Sequence, residues 1–215
     1  MAYTGDVRRG SAPATRTLDH LTVTKVSVGP TDNNAYLLRC GDDRVLIDAA
    51  NDAPALLELI GEAGIRAVIT THRHYDHWQA LAAVVEATGA RSLAHAADAA
   101  EIPVVTDTLA DGDKIPVGEG ELEVIHLVGH TPGSIALLYR DPNGHAHLWT
   151  GDSLFPGGVG NTGQDAARFG SLIDDVEHKL FDRLPDDTWF YPGHGKDSTL
   201  GTERPHLAEW RERGW

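Results

Sequence analysis

The chain has 215 residues, of which 41% are hydrophobic and 23% are charged, a composition typical of a globular protein with one domain. Its 18 Lys and Arg residues against 32 Asp and Glu residues give a net charge of −14. This charge excludes neither fold nor enzyme class, but it disfavours nucleic acid and anionic membrane surfaces as partners, because both require concentrated basic surface.

We do not expect the first residues of the chain to form a signal peptide. Residues 1–19 are polar and lack the apolar segment of a signal peptide, so we expect an N-terminal arm followed by one domain of residues 20–215. No run of 18 apolar residues occurs, and the expected location is the cytoplasm. The single cysteine, Cys40, excludes a fold held together by disulfides within the chain.

Apolar and alternating stretches predict strands, and helical periodicity with capping signals predicts helices. In the first half, the predicted strands are residues 21–28, 35–40, 45–47, 67–70 and 92–95, and the predicted helices are residues 54–62 and 78–88. In the second half, the predicted strands are residues 122–127, 135–140 and 147–150, and the predicted helices are residues 172–184 and 204–213. Two blocks of strands, each followed by helices, favour two sheets packed face to face with helices outside.

The segment THRHYDH, residues 71–77, crowds three histidines and one aspartate behind a predicted strand. His72 and His74 are two residues apart, so in an extended segment their imidazoles point to the same side. Asp76 and His77 follow where the chain turns into the next helix, and a sharp bend there would aim them toward the same space. This density of imidazole and carboxylate groups indicates a metal site.

Three further apolar strands end in glycine followed by a side chain that could bind a metal. They are VGHTPGS with His130, TGDSLF with Asp152 and YPGHG with His194. Glycine allows the tight turn that brings such a side chain close to a neighbour. Each segment alone would be interpreted as an ordinary turn, but four such strand ends in one chain favour one common site.

In this order, THRHYDH, GHTPGS, TGDSLF and PGHG resemble the motifs of the metallo-β-lactamase superfamily, over residues 20–200. The resemblance implies an α/β (α+β) fold, a four-layer αββα sandwich with a dinuclear metal site at one edge of its sheets. It implies seven ligands, with one ion held by His72, His74 and His130, a second held by Asp76, His77 and His194, and Asp152 bridging both.

The resemblance also implies hydrolysis of a small-molecule substrate. Two divalent ions would hold a bridging hydroxide that attacks a carbonyl. We expect Zn²⁺, although imidazole and carboxylate ligands also suit Fe²⁺ and Mn²⁺. Asp76 and Asp152 are the candidate catalytic residues, because either could orient the nucleophile. Asp48, which ends VLIDAA, matches an aspartate of the family that is expected to orient a ligand.

Within the superfamily, GHTPGS and the region around GDSLF are most similar to the single-domain glyoxalase II-like (hydroxyacylglutathione hydrolase-like) enzymes, which implies cleavage of a hydroxyacyl thioester. The retained Asp152 argues against a β-lactamase, and the negative charge argues against a nuclease. The chain departs from the family at Trp78 and Gln79, where glycines are usual. It departs again at residues 160–162, where an arginine and an aspartate are usual, and this argues against recognition of glutathione.

Three alternatives stay open at this point. The first is a mononuclear iron persulfide dioxygenase, in which His72, His130 and Asp152 would hold the iron; the others are a lactone hydrolase and a non-catalytic ligand-binding member of the fold. The sequence also leaves open whether the protein is a monomer or a homodimer. It does not decide which residues outside the ligand set touch the substrate or the ligands, the candidates being Tyr75, Trp78, His126, His147, Lys196 and Arg204.

Overall fold

The computed structural model describes residues 3–214. Its strands are β1 Ala14–Thr17, β2 Thr22–Val28, β3 Asn33–Cys40, β4 Asp43–Ile47, β5 Ala67–Thr70, β6 Arg91–His95, β7 Asp107–Leu109, β8 Lys114–Val117, β9 Gly120–His126, β10 Ile135–Arg140, β11 Ala146–Gly151, β12 Leu154–Phe155, β13 Gly158–Val159, β14 Trp189–Pro192 and β15 Ser198–Thr199. Its α-helices are α1 Ala53–Ile60, α2 Leu81–Thr88, α3 Ala166–Val176, α4 Leu200–Glu203 and α5 Leu207–Arg213. Short 3₁₀-helices are Tyr75–His77, Ala99–Glu101 and Arg204–His206, and Glu177–Phe181 forms a π-helix that continues α3.

Two sheets face each other across the main hydrophobic core. The first has the strand order β1-β2-β3-β4-β5-β6-β7, and the second has the order β15-β14-β11-β10-β9-β8. Alternate residues of both sheets point inward, and the space between them is filled by large side chains that include Tyr36, Trp149 and Tyr191. The ring of Trp149 stacks on that of Tyr191 with centroids 4.9 Å apart, an arrangement that adds to the stabilisation from burial.

Helices cover the outer face of each sheet. The helices α1 and α2 bury Leu56, Ile60, Leu81 and Val84 against the first sheet. The helices α3 and α5 pack on the outer face of the second sheet. The four-layer αββα sandwich predicted from the sequence is therefore confirmed. Among residues 3–214 the longest α-helix has 11 residues, and none combines the length and hydropathy needed to cross a bilayer.

Local signals explain most helix boundaries. The carboxylate of Asp52 accepts a hydrogen bond from the amide of Ala55 and caps α1. The helix predicted at 78–88 begins only at Leu81, because the chain first makes the 3₁₀ turn Tyr75–His77. The helix predicted at 172–184 begins at Ala166, because Asp165 accepts hydrogen bonds from two amides of the first turn. The glycine-rich segment 156–163 contains the short strand β13.

The first residues of the chain contact both sheets. Strand β1 pairs antiparallel with β2 at the edge of the first sheet. The ring of Tyr3 lies edge-on to Trp189, with centroids 6.2 Å apart, and to Tyr191, at 6.5 Å. The division into an arm of residues 1–19 and a domain of residues 20–215 stays a prediction, and residues 1, 2 and 215 lie outside the described part of the chain.

Candidate metal centre

Seven side chains from four chain segments meet at one edge of the sandwich. The segment after β5 carries His72 and His74, and the following 3₁₀ turn carries Asp76 and His77. His130 lies between β9 and β10, Asp152 directly follows β11, and His194 follows β14. These positions follow the ends of β5 in the first sheet and of β9, β11 and β14 in the second sheet. The structure thus brings together every residue that the sequence predicted as a metal ligand.

The ligand atoms form three overlapping groups, each with all its atoms within 4.8 Å of one another. The groups are His72, His74 and His130; His72, His77 and Asp152; and Asp76, His77 and His194. The first and third groups share no residue, so they describe two separate places for a cation. The middle group joins them.

Asp152 lies between the two places. Its Oδ1 atom is 3.4 Å from Nε2 of His77. Its Oδ2 atom is 3.5 Å from Nε2 of His194 and 3.8 Å from Nε2 of His130. One carboxylate therefore faces histidines of both groups, which is the arrangement needed for a bridging ligand.

The Nδ1 atoms of four histidines are held by oxygen acceptors, which fixes the direction of the rings. The Nδ1–H of His77 donates to Oδ2 of Asp48 at 2.8 Å, and that of His194 donates to the carbonyl of Thr31 at 2.9 Å. His130 donates in the same way to the carbonyl of Asn161 at 2.8 Å. With Nδ1 held in this way, Nε2 is the ring nitrogen directed into the cluster.

His72 follows the same rule through a hydroxyl group. The hydroxyl of Thr71 donates its only proton to Oδ2 of Asp48 at 2.8 Å. Its oxygen lies 3.0 Å from Nδ1 of His72 and must therefore accept from that nitrogen. Asp48 thus supports His77 directly and His72 through Thr71, as the sequence motif suggested for an orienting aspartate.

Three buried polar atoms at the centre of this cluster have no hydrogen-bond partner. They are Nε2 of His72, Nε2 of His130 and Oδ1 of Asp152. Buried polar atoms are almost always paired, and leaving one unpaired costs about 1–3 kcal/mol. Imidazole nitrogens and carboxylate oxygens are also the donors that Zn²⁺, Fe²⁺ and Mn²⁺ accept. The residues present therefore fit a pair of divalent cations.

The histidines of the cluster are of two kinds, which differ in the direction of their pKa shifts. Burial lowers the pKa values of His72, His74 and His130, and it lowers that of His72 well below its ordinary value. These imidazoles stay neutral and are ready to donate their Nε2 lone pairs.

The second kind of histidine lies among carboxylates. For His77, burial lowers the pKa, but Asp152 and Asp48 outweigh burial and raise the pKa well above its ordinary value. For His194, burial is likewise outweighed by hydrogen bonds with Asp152 and Asp76, which raise the pKa to about 10. A cation bound there would have to displace a proton from each ring.

Both carboxylates in the cluster remain ionised. The hydrogen bond with His194 holds the pKa of Asp76 well below its ordinary value. Burial raises the pKa of Asp152, but His77 and His194 outweigh burial and hold the pKa well below its ordinary value. The site therefore offers two negative charges to a cation.

Some residues that build the site carried no recognisable sequence signal. The amide of Asn33, at the start of β3, donates to the carbonyl and to Oδ2 of Asp76, both at 2.9 Å. Arg168 of α3 donates to the carbonyls of Gly129 and His130 and so holds the turn that carries this histidine. Asparagine and arginine are common on surfaces, and only their place in the fold shows what they support.

Gly193 allows the closest approach in the site. A Cβ atom there would meet Oδ1 of Asp152 and would lie 2.7 Å from Cε1 of His77. No side chain fits this position without moving one of the two groups. The first glycine of the PGHG motif is therefore explained by the lack of space for a side chain at this position.

Several residues that the sequence left open make other contacts. Tyr75 is 63% exposed and lies edge-on to Trp78, which packs at the margin of the core under the first sheet. His147 is buried, and its Nδ1 is 3.0 Å from the hydroxyl of Tyr191. His126 stacks on His95 with ring centroids 3.9 Å apart.

Two basic residues were also considered for substrate binding. Arg204 donates to the carbonyls of Phe181 and Leu184 and pairs with Asp186, contacts that hold the C-terminal helices to the preceding turn. Lys196 is exposed next to the turn that carries His194. Of the two, Lys196 alone remains a candidate for touching a substrate.

A cleft of about 630 Å³ lies along the segment whose backbone holds the ring of His130. It is lined by residues 159–162 together with Gln164, Ala166 and Gly214. The carbonyl of Asn161, which holds His130, belongs to the same segment. The cleft therefore adjoins the segment that orients His130, and Asn161, Thr162 and Gln164 supply the polar side chains of a lining that also has apolar parts.

Fold and site together define a metal-dependent hydrolase class, and comparison with known proteins agrees. The family model described as "Metallo-beta-lactamase superfamily" matches residues 28–194. The chain belongs to this superfamily.

Two relatives and one solved structure show the degree of similarity. A hydroxyacylglutathione hydrolase of Anaeromyxobacter dehalogenans is 38% identical over 168 residues, which are 76% of this chain and 61% of that protein. The "Probable metallo-hydrolase YqgX" of Bacillus subtilis is 30% identical over 200 residues, which are 84% of this chain and 93% of that protein. The crystal structure of TTHA1623 in a di-iron-bound form has 30% sequence identity and a TM-score of 0.69, and the match covers 84% of this chain and 96% of that one. This chain spans about three fifths of the length of the hydroxyacylglutathione hydrolases that it matches.

Proposed function

We propose that this member of the superfamily is a dinuclear hydrolase that cleaves a thioester of the hydroxyacyl-thiol type. The observation that carries the proposal is the convergence of seven candidate nitrogen and oxygen ligands in three overlapping groups, with unpaired buried atoms among them. The similarity to hydroxyacylglutathione hydrolases, at 32–38% identity in the first relatives, supports the reaction class.

The candidate ligands are assigned to two cations. In the proposal, His72, His74 and His130 hold the first ion, Asp76, His77 and His194 hold the second, and Asp152 contacts both. Two bound divalent cations would lower the pKa of a water molecule and polarise the carbonyl of the substrate. We propose zinc, and the di-iron-bound form of TTHA1623 makes iron the first alternative to test.

The protein's own groups orient the reacting molecules. Asp76 is half-buried, and Asn33 and His194 hold its Oδ2 atom, so its carboxylate is fixed and ionised at the edge of the cluster. In the proposal this carboxylate, together with Asp152, accepts a hydrogen bond from the attacking water and sets its direction. His74 is exposed, unlike His72, and marks the side from which a substrate can approach.

The cleft lined by residues 159–162 is the proposed site for the thiol carrier. Its side chains Asn161, Thr162 and Gln164 are neutral, and they suit a carrier with amide groups rather than one recognised through several charges. The arginine and aspartate that the glyoxalase II-like enzymes usually have in this segment are missing. We therefore propose a hydroxyacyl thioester whose carrier is not bound in the manner of glutathione.

The test is a panel of hydroxyacyl thioesters and lactones, assayed with zinc-loaded protein by thiol release and acid production. We expect thioester cleavage that is lost after chelation, restored by zinc and lost in Asp152→Ala with the circular dichroism spectrum retained. Cleavage of lactones alone would contradict the proposed substrate class. Oxygen uptake with a persulfide by iron-loaded protein, without thiol release from the panel, would replace the proposal with the dioxygenase alternative.

A further inference from the structure

Asp98 is a buried aspartate outside the seven predicted ligands, and its carboxylate does not cap the helix that it begins. It follows β6 and occupies the N-cap position of the 3₁₀-helix Ala99–Glu101, yet its side chain makes no capping hydrogen bond. Only 1% of the residue is exposed. An aspartate at such a position ordinarily caps its own helix, so both oxygens must be satisfied elsewhere.

Both carboxylate oxygens accept hydrogen bonds from loops of the candidate metal centre. Oδ2 accepts from the amide of Arg73 at 3.0 Å and from the hydroxyl of Thr131 at 2.6 Å. Oδ1 accepts from the amide of Gly133 at 2.8 Å. Arg73 lies between His72 and His74, and Thr131 directly follows His130. One carboxylate therefore joins the two loops that carry the first group of histidines.

The close approach of Asp98 also explains a glycine in the GHTPGS motif. A Cβ atom on Gly133 would lie 2.7 Å from both Cγ and the backbone nitrogen of Asp98. Contacts this short do not occur, so any larger residue at position 133 would push the loop of Gly133 away from Asp98. The motif glycine therefore leaves the space that Asp98 occupies.

We propose that Asp98 is a positioning residue for the first cation site, the one formed by His72, His74 and His130. The inference rests on the proposed function, because it assigns a role toward a cation that this function requires. Hydrogen bonds to an ionised carboxylate are stronger than neutral ones, and they fix the distance between the two loops. Loss of a group that orients metal ligands typically lowers metal affinity roughly 10–100-fold.

The test separates the two sites before Asp98 is changed. His194→Ala removes a ligand of the second site and leaves His72, His74 and His130, whereas His130→Ala does the reverse. The zinc dissociation constant of each background is measured by competition with a chromophoric chelator. Adding Asp98→Asn should weaken zinc binding roughly 10–100-fold in the His194→Ala background and by less than about threefold in the His130→Ala background.

Matched variants separate positioning from general loss of stability. Asp197→Asn removes a charge from another buried aspartate that accepts several hydrogen bonds, and it should leave the first-site dissociation constant unchanged. Gly133→Ala should reproduce the selective loss from the other side of the contact, which keeps the test valid if Asp98→Asn does not fold. Gly170→Ala, in α3 with no atom near the new methyl group, is its control.

Equal loss of affinity in both backgrounds, or no loss in the first, would overturn the positioning role while leaving the proposed function intact. Absence of zinc binding in both parent backgrounds would instead contradict the proposed function, and the role of Asp98 would fall with it.

Discussion

Replacing the buried Lys25 with methionine is expected to destabilise the folded protein by about 3–5 kcal/mol, the usual cost of removing one partner of a buried ion pair. Lys25 and Asp197 are both fully buried at their side chains, with Nζ 2.6 Å from Oδ1. The same Nζ atom donates to the carbonyls of Gly5 and Gly195, each at 2.7 Å. The pair therefore ties the start of the chain to the turn that carries His194.

The magnitude follows from what the substitution leaves behind. Methionine removes the charge and the three donated hydrogen bonds, while Asp197 stays buried and still accepts from Tyr3 at 2.7 Å and from Trp189 at 3.0 Å. An uncompensated carboxylate remains in the interior. In the double variant Lys25→Met/Asp197→Asn this charge is also gone, so the loss of stability should be smaller than in Lys25→Met alone.

The loss should also depend on pH. Burial raises the pKa of Asp197, and the attraction of Lys25 offsets only part of this effect. Without Lys25 the pKa of Asp197 in the folded protein lies still higher above its unfolded value of about 3.9. A group with a raised pKa in the folded state costs stability as pH rises through that pKa. The difference between variant and wild type is therefore expected to be larger at pH 8 than at pH 5.

Urea unfolding of metal-free protein, followed by circular dichroism at both pH values, measures these differences. A cost below about 1 kcal/mol at pH 8, less than the loss of one well-made buried hydrogen bond, would refute the reasoning. A cost that is the same at pH 5 and pH 8 would also refute it, because the retained charge would then not be its source.

Three further predictions concern the metal centre. Asp48→Asn removes the carboxylate that holds Nδ1–H of His77, and it should weaken zinc binding roughly 10–100-fold in a chelator competition; unchanged affinity would contradict the orienting role. Gly193→Ala should lower thioester turnover roughly 100-fold by displacing His77, whereas Gly170→Ala should leave turnover unchanged, and equal rates in the two variants would contradict the close contact. Zinc at one hundred times its dissociation constant should raise the free energy of unfolding by about 2.7 kcal/mol per site, and a melting temperature that does not respond to zinc would contradict binding to the folded state.

The sandwich architecture could be predicted because its signals are local. Strands such as β5 and β10 are continuous apolar runs, and their bounds matched the prediction. Helix α1 carries an N-cap aspartate at Asp52, and α2 ends at Gly89, which adopts the left-handed conformation. The start of α3 escaped prediction, since its first turn is exposed and its cap, Asp165, stands in a polar stretch.

The candidate ligands could be found from sequence because histidines and aspartates are crowded into short motifs. The groups that orient them could not be found in this way. Asp98 lies in the segment AHAADAAE, where nothing distinguishes it from a surface residue, and its contacts to Arg73 and Gly133 span 25 and 35 positions. Such contacts depend on how loops from separate strands meet, and this is known only once the fold is known.

The metal content of the purified protein tests the central claim most directly. After dialysis against zinc and removal of free metal, the wild-type chain is expected to retain close to two zinc ions by elemental analysis. Retention of one ion would contradict a dinuclear centre. Retention of none would contradict the metal site altogether.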